Sequence, residues 1–398
     1  MLKSAAKWMI DLSLKHSLVE GYLRSKLIDQ DPINALIKSS EEAQLILERG
    51  NGGVGESQLL VCAFNLWRQR KQGQLINVDI VTDHPEKFPH DYCLKMFAPW
   101  DAWMKVTSFH GFSPDASDEF WKNNLTPGAY VLEAVQGEHA MDSLRDGCKK
   151  IGATLIEPIM PATDTFEFAL LEEVFFHDAE LGAKSEFDGQ PRKFSAQVLR
   201  MLSATHCRYS YPHFALEGLP EDRKPWRVMD VGCGPISNLR WGALRGDMTI
   251  TGVDPLIEMY AVILARHGHD QLPHLRCDNE IVGFAENLDE LAPDEAYDMI
   301  YTSNALDHTQ EPERVINNFS RKLVPGGRVY MAVNTREGTR QNWNQLHKTN
   351  IYINDANELV FHHQHTAEKP LLTPASHLRL AKVFTNNDDY TVVNLEKV

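Results

Sequence analysis

Apolar positions along the chain fall into short runs separated by polar stretches marked with glycine and proline, a pattern that predicts buried strands alternating with helices. In the C-terminal half these runs are "WRVMDV" (Trp226 to Val231), "MTITGV" (Met248 to Val253), the strand inside "AYDMIYTSNALDH" (Ala296 to His308) and "GRVYMAVN" up to Asn334. A helix over Asn238 to Arg245 is expected between the first two. "PERVINNFSRKLVPGG" reads as a helix followed by a Pro-Gly-Gly turn into the fifth strand. The terminal "DDYTVVNLEKV" alternates well enough to be a last, antiparallel strand that closes the same sheet.

The N-terminal half repeats this order of signals. "LLVCAF" (Leu59 to Phe64), "INVDIVTDHP" (Ile76 to Pro85), "WMKVTSF" (Trp103 to Phe109) and "LTPGAYVLEAV" (Leu125 to Val135) read as strands. "DSLRDGCKKIGATLIEPI" and "DTFEFALLEEV" read as the helix and closing strands of an α/β unit. The last strand echoes "LVPGGRVYMAV" (Leu323 to Val333) in register. The half is therefore read as a degenerate second copy of the C-terminal sheet, with an unrelated α/β or helical domain as the alternative. The expected division is a helical segment 1–55, an α/β domain 56–175, lid or linker helices 176–225 and a C-terminal domain 226–398.

Composition narrows the function. With 398 residues, 43% of them hydrophobic, the chain has enough apolar material for two cores. A formal charge of -15 argues against general affinity for nucleic acid or anionic lipid. No apolar run reaches the roughly 18 residues that span a bilayer. The start, "MLKSAAKWMIDLSLKHSLVE", is interrupted by Lys7, Asp11 and Lys15 and resembles an amphipathic docking helix more than a signal peptide. Six dispersed cysteines form no C-x-x-C pair, so they read as reduced thiols of a cytoplasmic protein.

The chemistry concentrates at "RVMDVGCGPISN". Gly232 and Gly234 supply a turn without Cβ atoms after the first strand, where backbone N–H groups can approach a ligand. Asp254, ending the second strand, can accept both ribose hydroxyls of an adenosine compound. A dinucleotide fingerprint needs glycine or alanine where this chain has Ser237, so NAD fits imperfectly.

"DVGCGP", "GVDP", "FAENLDEL", "YDMIYTSNALDH" and "LVPGGRVYMAV", in that order, resemble class I methyltransferases dependent on S-adenosylmethionine, over about Trp226 to Asn334. The resemblance implies a Rossmann-like seven-stranded sheet. It also implies that Asp230, Gly232, Cys233 and Gly234 meet the methionyl part, and that Asp254 and Pro255 lie at the ribose. Ala285 and Glu286 would lie at the adenine, and Ser303 and Asn304 beside the sulfonium. Where the family has an acid receiving the adenine amine, this chain has Phe284.

The turn after the fourth strand faces the methyl group in this fold. His308 and Asp307 are accordingly the candidate general base and its neighbour, and His347 is a second candidate from the segment after the fifth strand. His308 as a simple helix cap is the bland reading. "FHHQHT" places His363 and His365 two apart, on one face if they share a strand, but no nearby ligand completes a set, so no metal is expected. Arg192, Arg208, Tyr209 and Tyr211, in a segment read as a substrate lid (Glu173 to Ser210), could meet an acidic or sugar-like substrate or be ordinary surface residues. The leading expectation is methyl transfer to a small-molecule acceptor such as a sugar or secondary metabolite. The alternatives are a non-catalytic cofactor-binding scaffold and, third, an NAD-dependent oxidoreductase. The N-terminal half would serve interaction, substrate enclosure or homodimer formation.

Overall fold

The computed structural model describes residues 54–71, 74–82, 90–135, 138–163, 165–182, 186–187, 190–191, 215–269, 275–344, 346–386 and 389–398. The docking helix, Arg192, Arg208, Tyr209 and Tyr211 lie outside them. The chain divides into two units, one of 42–182 with 258–271 and the other of 1–41, 183–257 and 272–398. No helix among the described residues is long and apolar enough to cross a membrane.

The first of these units is a small parallel α/β sheet. β1 (Ile76–Thr82), β2 (Met104–Gly111), β3 (Tyr130–Ala134) and β4 (Thr154–Ile156) pair in the order β2-β1-β3-β4, every neighbour parallel. Helix Glu138–Ile151 presses against helix Asp118–Asn124 so closely that a Cβ on Gly147 would lie 2.5 Å from the Trp121 ring. Trp121 in turn packs with Phe112, Val131 and Leu144. At β1 the buried carboxylate of Asp79 accepts from Thr107 Oγ1 (2.6 Å) and from the Thr126 amide (2.7 Å), which satisfies it without a cation.

Two predicted strands of this half are helices. Leu59 to Phe64 lies within helix Val54–Gln69, and "DTFEFALLEEV" lies mostly within helix Phe166–Gly182. All six residues from Leu59 to Phe64 are buried, so a helix covered on every side shows the same unbroken apolar run as a buried strand. The parallel α/β character is present, yet the strand matches are displaced. Met104–Gly111 and Tyr130–Ala134 flank β1 on opposite sides, whereas the C-terminal strands they echo are neighbours.

In the other unit, the two-residue strands β5 (Glu186–Phe187) and β6 (Gln190–Pro191) form a small hairpin. The main sheet follows, from β7 (Trp226–Val231), β8 (Met248–Asp254), β9 (Asn279–Val282), β10 (Tyr297–Ser303), β11 (Leu323–Asn334), β15 (Leu378–Asn386) and β16 (Tyr390–Lys397). Their order is β15-β16-β11-β10-β7-β8-β9, parallel except where β16 runs antiparallel to β11 and β15. This is a Rossmann-like seven-stranded sheet, as expected. Val228, Met229, Ile300 and Val329 are completely buried, which accounts for the continuous apolar runs.

Local differences are modest. The helix after the glycine turn is the short Arg240–Leu244. The Pro-Gly-Gly triplet lies inside β11 as an irregularity, with Gly326 at φ 72° and the register to β10 shifting between Tyr297 and Met299. Between β11 and β15 a separate three-stranded sheet is inserted, β12 (Thr349–Ile353), β13 (Leu359–His363) and β14 (Lys369–Pro370). His363 ends β13 and His365 follows in a turn at φ 62°, so the two do not share a strand face.

Candidate active site

The main sheet changes direction at β7. From there the chain builds outward through β8 and β9, then crosses to the other side of β7 for β10 and β11. Ligands of open parallel sheets bind at the carboxyl ends beside such a switch. The candidate residues Asp230, Gly232, Cys233, Gly234 and Asp254 occupy those ends of β7 and β8.

Gly232 and Gly234 both adopt left-handed backbone, at φ 71° and 60°. A Cβ at Gly232 would lie 2.2 Å from Cβ of Ala305, so the absence of a side chain lets the turn after β10 close against the turn after β7. The Gly234 amide donates to Oδ2 of Asp254 at 3.2 Å, and the Leu256 amide donates to Oδ1 at 2.9 Å. Asp254 is thereby aimed across the glycine turn, with Pro255 half-buried just beyond it.

Ser237, the residue that spoils the dinucleotide fingerprint, donates from its hydroxyl to Asp230. Burial pushes the Asp230 carboxyl up to about 7; the Ser237 hydrogen bond opposes this and the charge of Asp254 adds to it. Cys233 is buried beside Cys277. A Cβ on Gly252 would lie 2.9 Å from its sulfur and 2.7 Å from that of Cys277. The hydrogen bond with Cys277 and burial hold the Cys233 thiol well above its ordinary range, so it packs rather than reacts.

After β9, Phe284 opens a short 3-10 turn formed by Ala285, Glu286 and Asn287. The carbonyls of Ala285 and Glu286 accept from Asn318 Nδ2 (3.2 and 3.0 Å), and Glu286 Oε1 accepts from the Gln310 amide at 2.9 Å. After β10, Ser303 is half-buried, and Asn304 at φ 51° uses its Oδ1 to accept the Asn334 amide at 3.1 Å.

The structure brings Asp307, His308 and His347 together. Leu306, Asp307 and His308 form a 3-10 turn, and Asp307 is buried. Its Oδ2 lies 3.0 Å from His347 Nδ1 and 3.5 Å from His308 Nε2, with the two imidazoles edge to face, their centroids 4.7 Å apart. Oδ1 of Asp307 has no hydrogen-bond partner among the described residues. Burial pushes the Asp307 carboxyl up, but the charge of His308 and the hydrogen bond and charge of His347 outweigh it and hold the group below its ordinary value. The inserted sheet makes this meeting possible, since Thr349 Oγ1, at the start of β12, donates to the Thr309 carbonyl at 3.2 Å.

Residues 203–370 match a family model described as a methyltransferase domain. Over this stretch the chain is similar to methyltransferase domains. The methyltransferase domain is 29% identical over 109 residues to a phosphoethanolamine N-methyltransferase of Arabidopsis thaliana, which covers 27% of this chain and 21% of the relative. It is also 29% identical over 114 residues to a ubiquinone biosynthesis O-methyltransferase of Salmonella enteritidis, covering 28% and 44%. The chain thus spans less than half the length of these curated relatives. Among solved structures, a 1,6-didemethyltoxoflavin-N1-methyltransferase of Burkholderia thailandensis overlaps 44% of the chain and 72% of its own, at 19% identity and a TM-score of 0.29. Two buried carboxylates flanking a turn that admits no Cβ suit the cofactor of this domain, whose methionyl part carries an ammonium group and whose ribose carries two hydroxyls.

Proposed function

We propose that the chain transfers the methyl group of S-adenosylmethionine to a hydroxyl or amine of a small molecule, with His347 as the general base. The bound cofactor supplies an electrophilic methyl on a sulfonium. The residues must then place a nucleophile behind that carbon and remove its proton where it carries one. In this reading Asp230 faces the ammonium and Asp254 the ribose, Ala285 and Glu286 lie at the base, and Ser303 and Asn304 lie near the sulfonium.

The observation that carries the proposal is the closeness of Gly232 to Ala305, which stands two residues before Asp307, the partner of His347. A carboxylate on Nδ1 holds the proton there, which makes Nε2 the basic nitrogen. His347 takes this role ahead of His308, whose Nε2 already points toward the same carboxylate. Asp307 is then a positioning residue. A sugar-like or secondary-metabolite acceptor is in keeping with the inserted sheet that delivers His347, and with relatives named for a phosphoethanolamine and a ubiquinone precursor.

The same three side chains support a second reading. Asp307, His308 and His347 offer ligand atoms all within 4.8 Å of one another, a donor set suited to a first-row transition ion. Incubation with methyl-labelled S-adenosylmethionine and a panel of hydroxylated and aminated small molecules, with and without chelator, tests both. Label transfer that chelator leaves unchanged supports the base reading, and transfer abolished by chelator and restored by zinc or iron(II) supports the metal one. The absence of transfer to any acceptor class counts against enzymatic activity.

A further inference from the structure

We propose that Cys233 and Cys277 are a modification site, a dithiol that exchange with a low-molecular-weight disulfide closes into a bridge, and that the bridge draws the glycine turn out of its cofactor-binding geometry. The bridge stands on the cysteines alone, while its effect on the cofactor rests on the S-adenosylmethionine reading above.

The two sulfurs meet because β8 has no side chain between them. A Cβ on Gly252 would lie 2.9 Å from Cys233 Sγ, 2.7 Å from Cys277 Sγ and 3.2 Å from Cys277 Cβ, so the thiols fill the space that any other residue at 252 would take. They are hydrogen-bonded to each other. Gly252 pairs with Asp230 on β7 and with Glu280 on β9, which brings the turn after β7 and the segment before β9 to the same point of the sheet. Asp278 accepts the Ile250 amide of β8 at 2.8 Å and pairs with Arg240 at 3.0 Å, so the residue next to Cys277 is tied to the sheet.

The pair has an inner and an outer member. Cys233 is buried and keeps its proton, so by itself it meets no reagent from solvent, whereas Cys277 is partly exposed. Exchange therefore begins at Cys277, whose thiolate attacks one sulfur of the small disulfide, forms a mixed disulfide and expels a thiolate that takes up a proton in place of the one Cys277 gave up. Cys233 Sγ then attacks the Cys277 sulfur. The bond to the small thiol breaks, and the second departing thiolate takes the Cys233 proton. Two protein thiols are oxidised and one small disulfide is reduced to two thiols. The proton held on Cys233 slows the second step, and the placement of its sulfur beside that of Cys277 favours it.

A bridge needs sulfurs about 2.05 Å apart and Cβ atoms about 3.5–4.5 Å apart, closer than hydrogen-bonded thiols stand, so one side must move. The Cys277 side is anchored through Asp278. Cys233 lies between two glycines in left-handed backbone, at φ 71° and 60°, and a turn without Cβ atoms on either side is the part that adjusts. Its movement toward Gly252 breaks the 3.2 Å hydrogen bond from the Gly234 amide to Asp254 Oδ2, one of the two that aim this carboxylate.

The test treats the full chain with excess oxidised glutathione, maps its cysteine linkages by mass spectrometry of unreduced peptides, and titrates S-adenosylhomocysteine calorimetrically before oxidation, after it, and after dithiothreitol. The expected result is an intact mass lower by two hydrogens, a peptide joining Cys233 to Cys277, and an affinity that falls about tenfold or more on oxidation and returns with the reductant. Cys277→Ser and Cys277→Ala should each keep the affinity of the reduced wild type and lose the response to the oxidant. A wild-type chain that forms no Cys233–Cys277 bridge, or a bridged chain whose affinity stays within about twofold of the reduced one, overturns the inference alone. A reduced chain that does not bind S-adenosylhomocysteine overturns the cofactor reading, and the peptide map then decides the bridge by itself.

Discussion

Gly232→Ala should abolish measurable binding of S-adenosylhomocysteine while leaving the sheet folded. The added Cβ meets Ala305 at 2.2 Å, and alanine must also hold φ 71°. The left-handed backbone opposes an L side chain by about 1–2 kcal/mol, and the overlap adds about 1–3 kcal/mol unless one turn moves. The turn after β7 is less constrained than the buried strands, so it is the part that shifts, and the cofactor site goes with it. The expected result is a melting point lowered by several degrees and an affinity weakened by roughly 100-fold or more. Gly234→Ala meets the same backbone opposition, at φ 60°. Equal affinity in wild type and Gly232→Ala would mean that the ligand does not touch this turn.

Asp307→Asn should lower turnover about 100-fold and leave cofactor affinity within about twofold. The amide cannot stabilise an imidazolium at His347, and it removes the anion that fixes the proton on Nδ1. A merely structural role would lower turnover without altering its pH dependence. The positioning role predicts that the acidic limb, where His347 becomes protonated and cannot act as base, shifts toward lower pH, because the neighbouring negative charge is gone. His347→Gln should lose about as much activity, and the double variant little more, since the pair acts as one device.

The same substitution has a stability signature. Asp307 titrates below its ordinary value in the folded protein, so it stabilises the fold above the unfolded carboxyl value and loses that contribution as pH falls through the folded one. The difference in stability between wild type and Asp307→Asn should therefore narrow on acidification through the range below about pH 4. His308→Gln, by comparison, removes the more distant of the two imidazoles and is expected to retain most activity.

The glycine turn of the candidate site and the acid beside it are legible in the sequence because each part is local. A strand, two glycines and an acid at the end of the next strand fall within Trp226 to Asp254, and the strand order of the fold then fixes their geometry. Ser237 carries a signal that the fingerprint comparison treats only as a mismatch: its hydroxyl holds Asp230, a use of serine that a glycine could not fill. The meeting of His347 with Asp307, 40 residues apart, has no comparable local mark. It depends on how the inserted β12–β13 hairpin packs beside the turn after β10, which hydrophobic period does not encode. β15, which forms the sheet edge beyond β16, is likewise absent from the sequence reading, its "LRLAKVFTN" pattern being interrupted by two register shifts. In the N-terminal half, complete burial of Leu59 to Phe64 removes the polar face by which a helix is ordinarily recognised.

The central claim is that the glycine turn and its two buried acids hold S-adenosylmethionine, and calorimetric titration with S-adenosylhomocysteine at pH 6 and pH 8, beside NAD and an Asp254→Ala variant, tests it most directly. Asp230, raised to about 7 when no cation is near, is largely protonated at pH 6 and ionised at pH 8. An ammonium bound beside it favours the ionised carboxylate, so binding at pH 6 should release up to about one proton, read from the dependence of the heat on buffer ionisation, and binding at pH 8 almost none. The account predicts binding of S-adenosylhomocysteine and not of NAD, with this proton release and with loss of affinity in Asp254→Ala. Binding of NAD in preference, or absence of binding to S-adenosylhomocysteine at either pH, would contradict it.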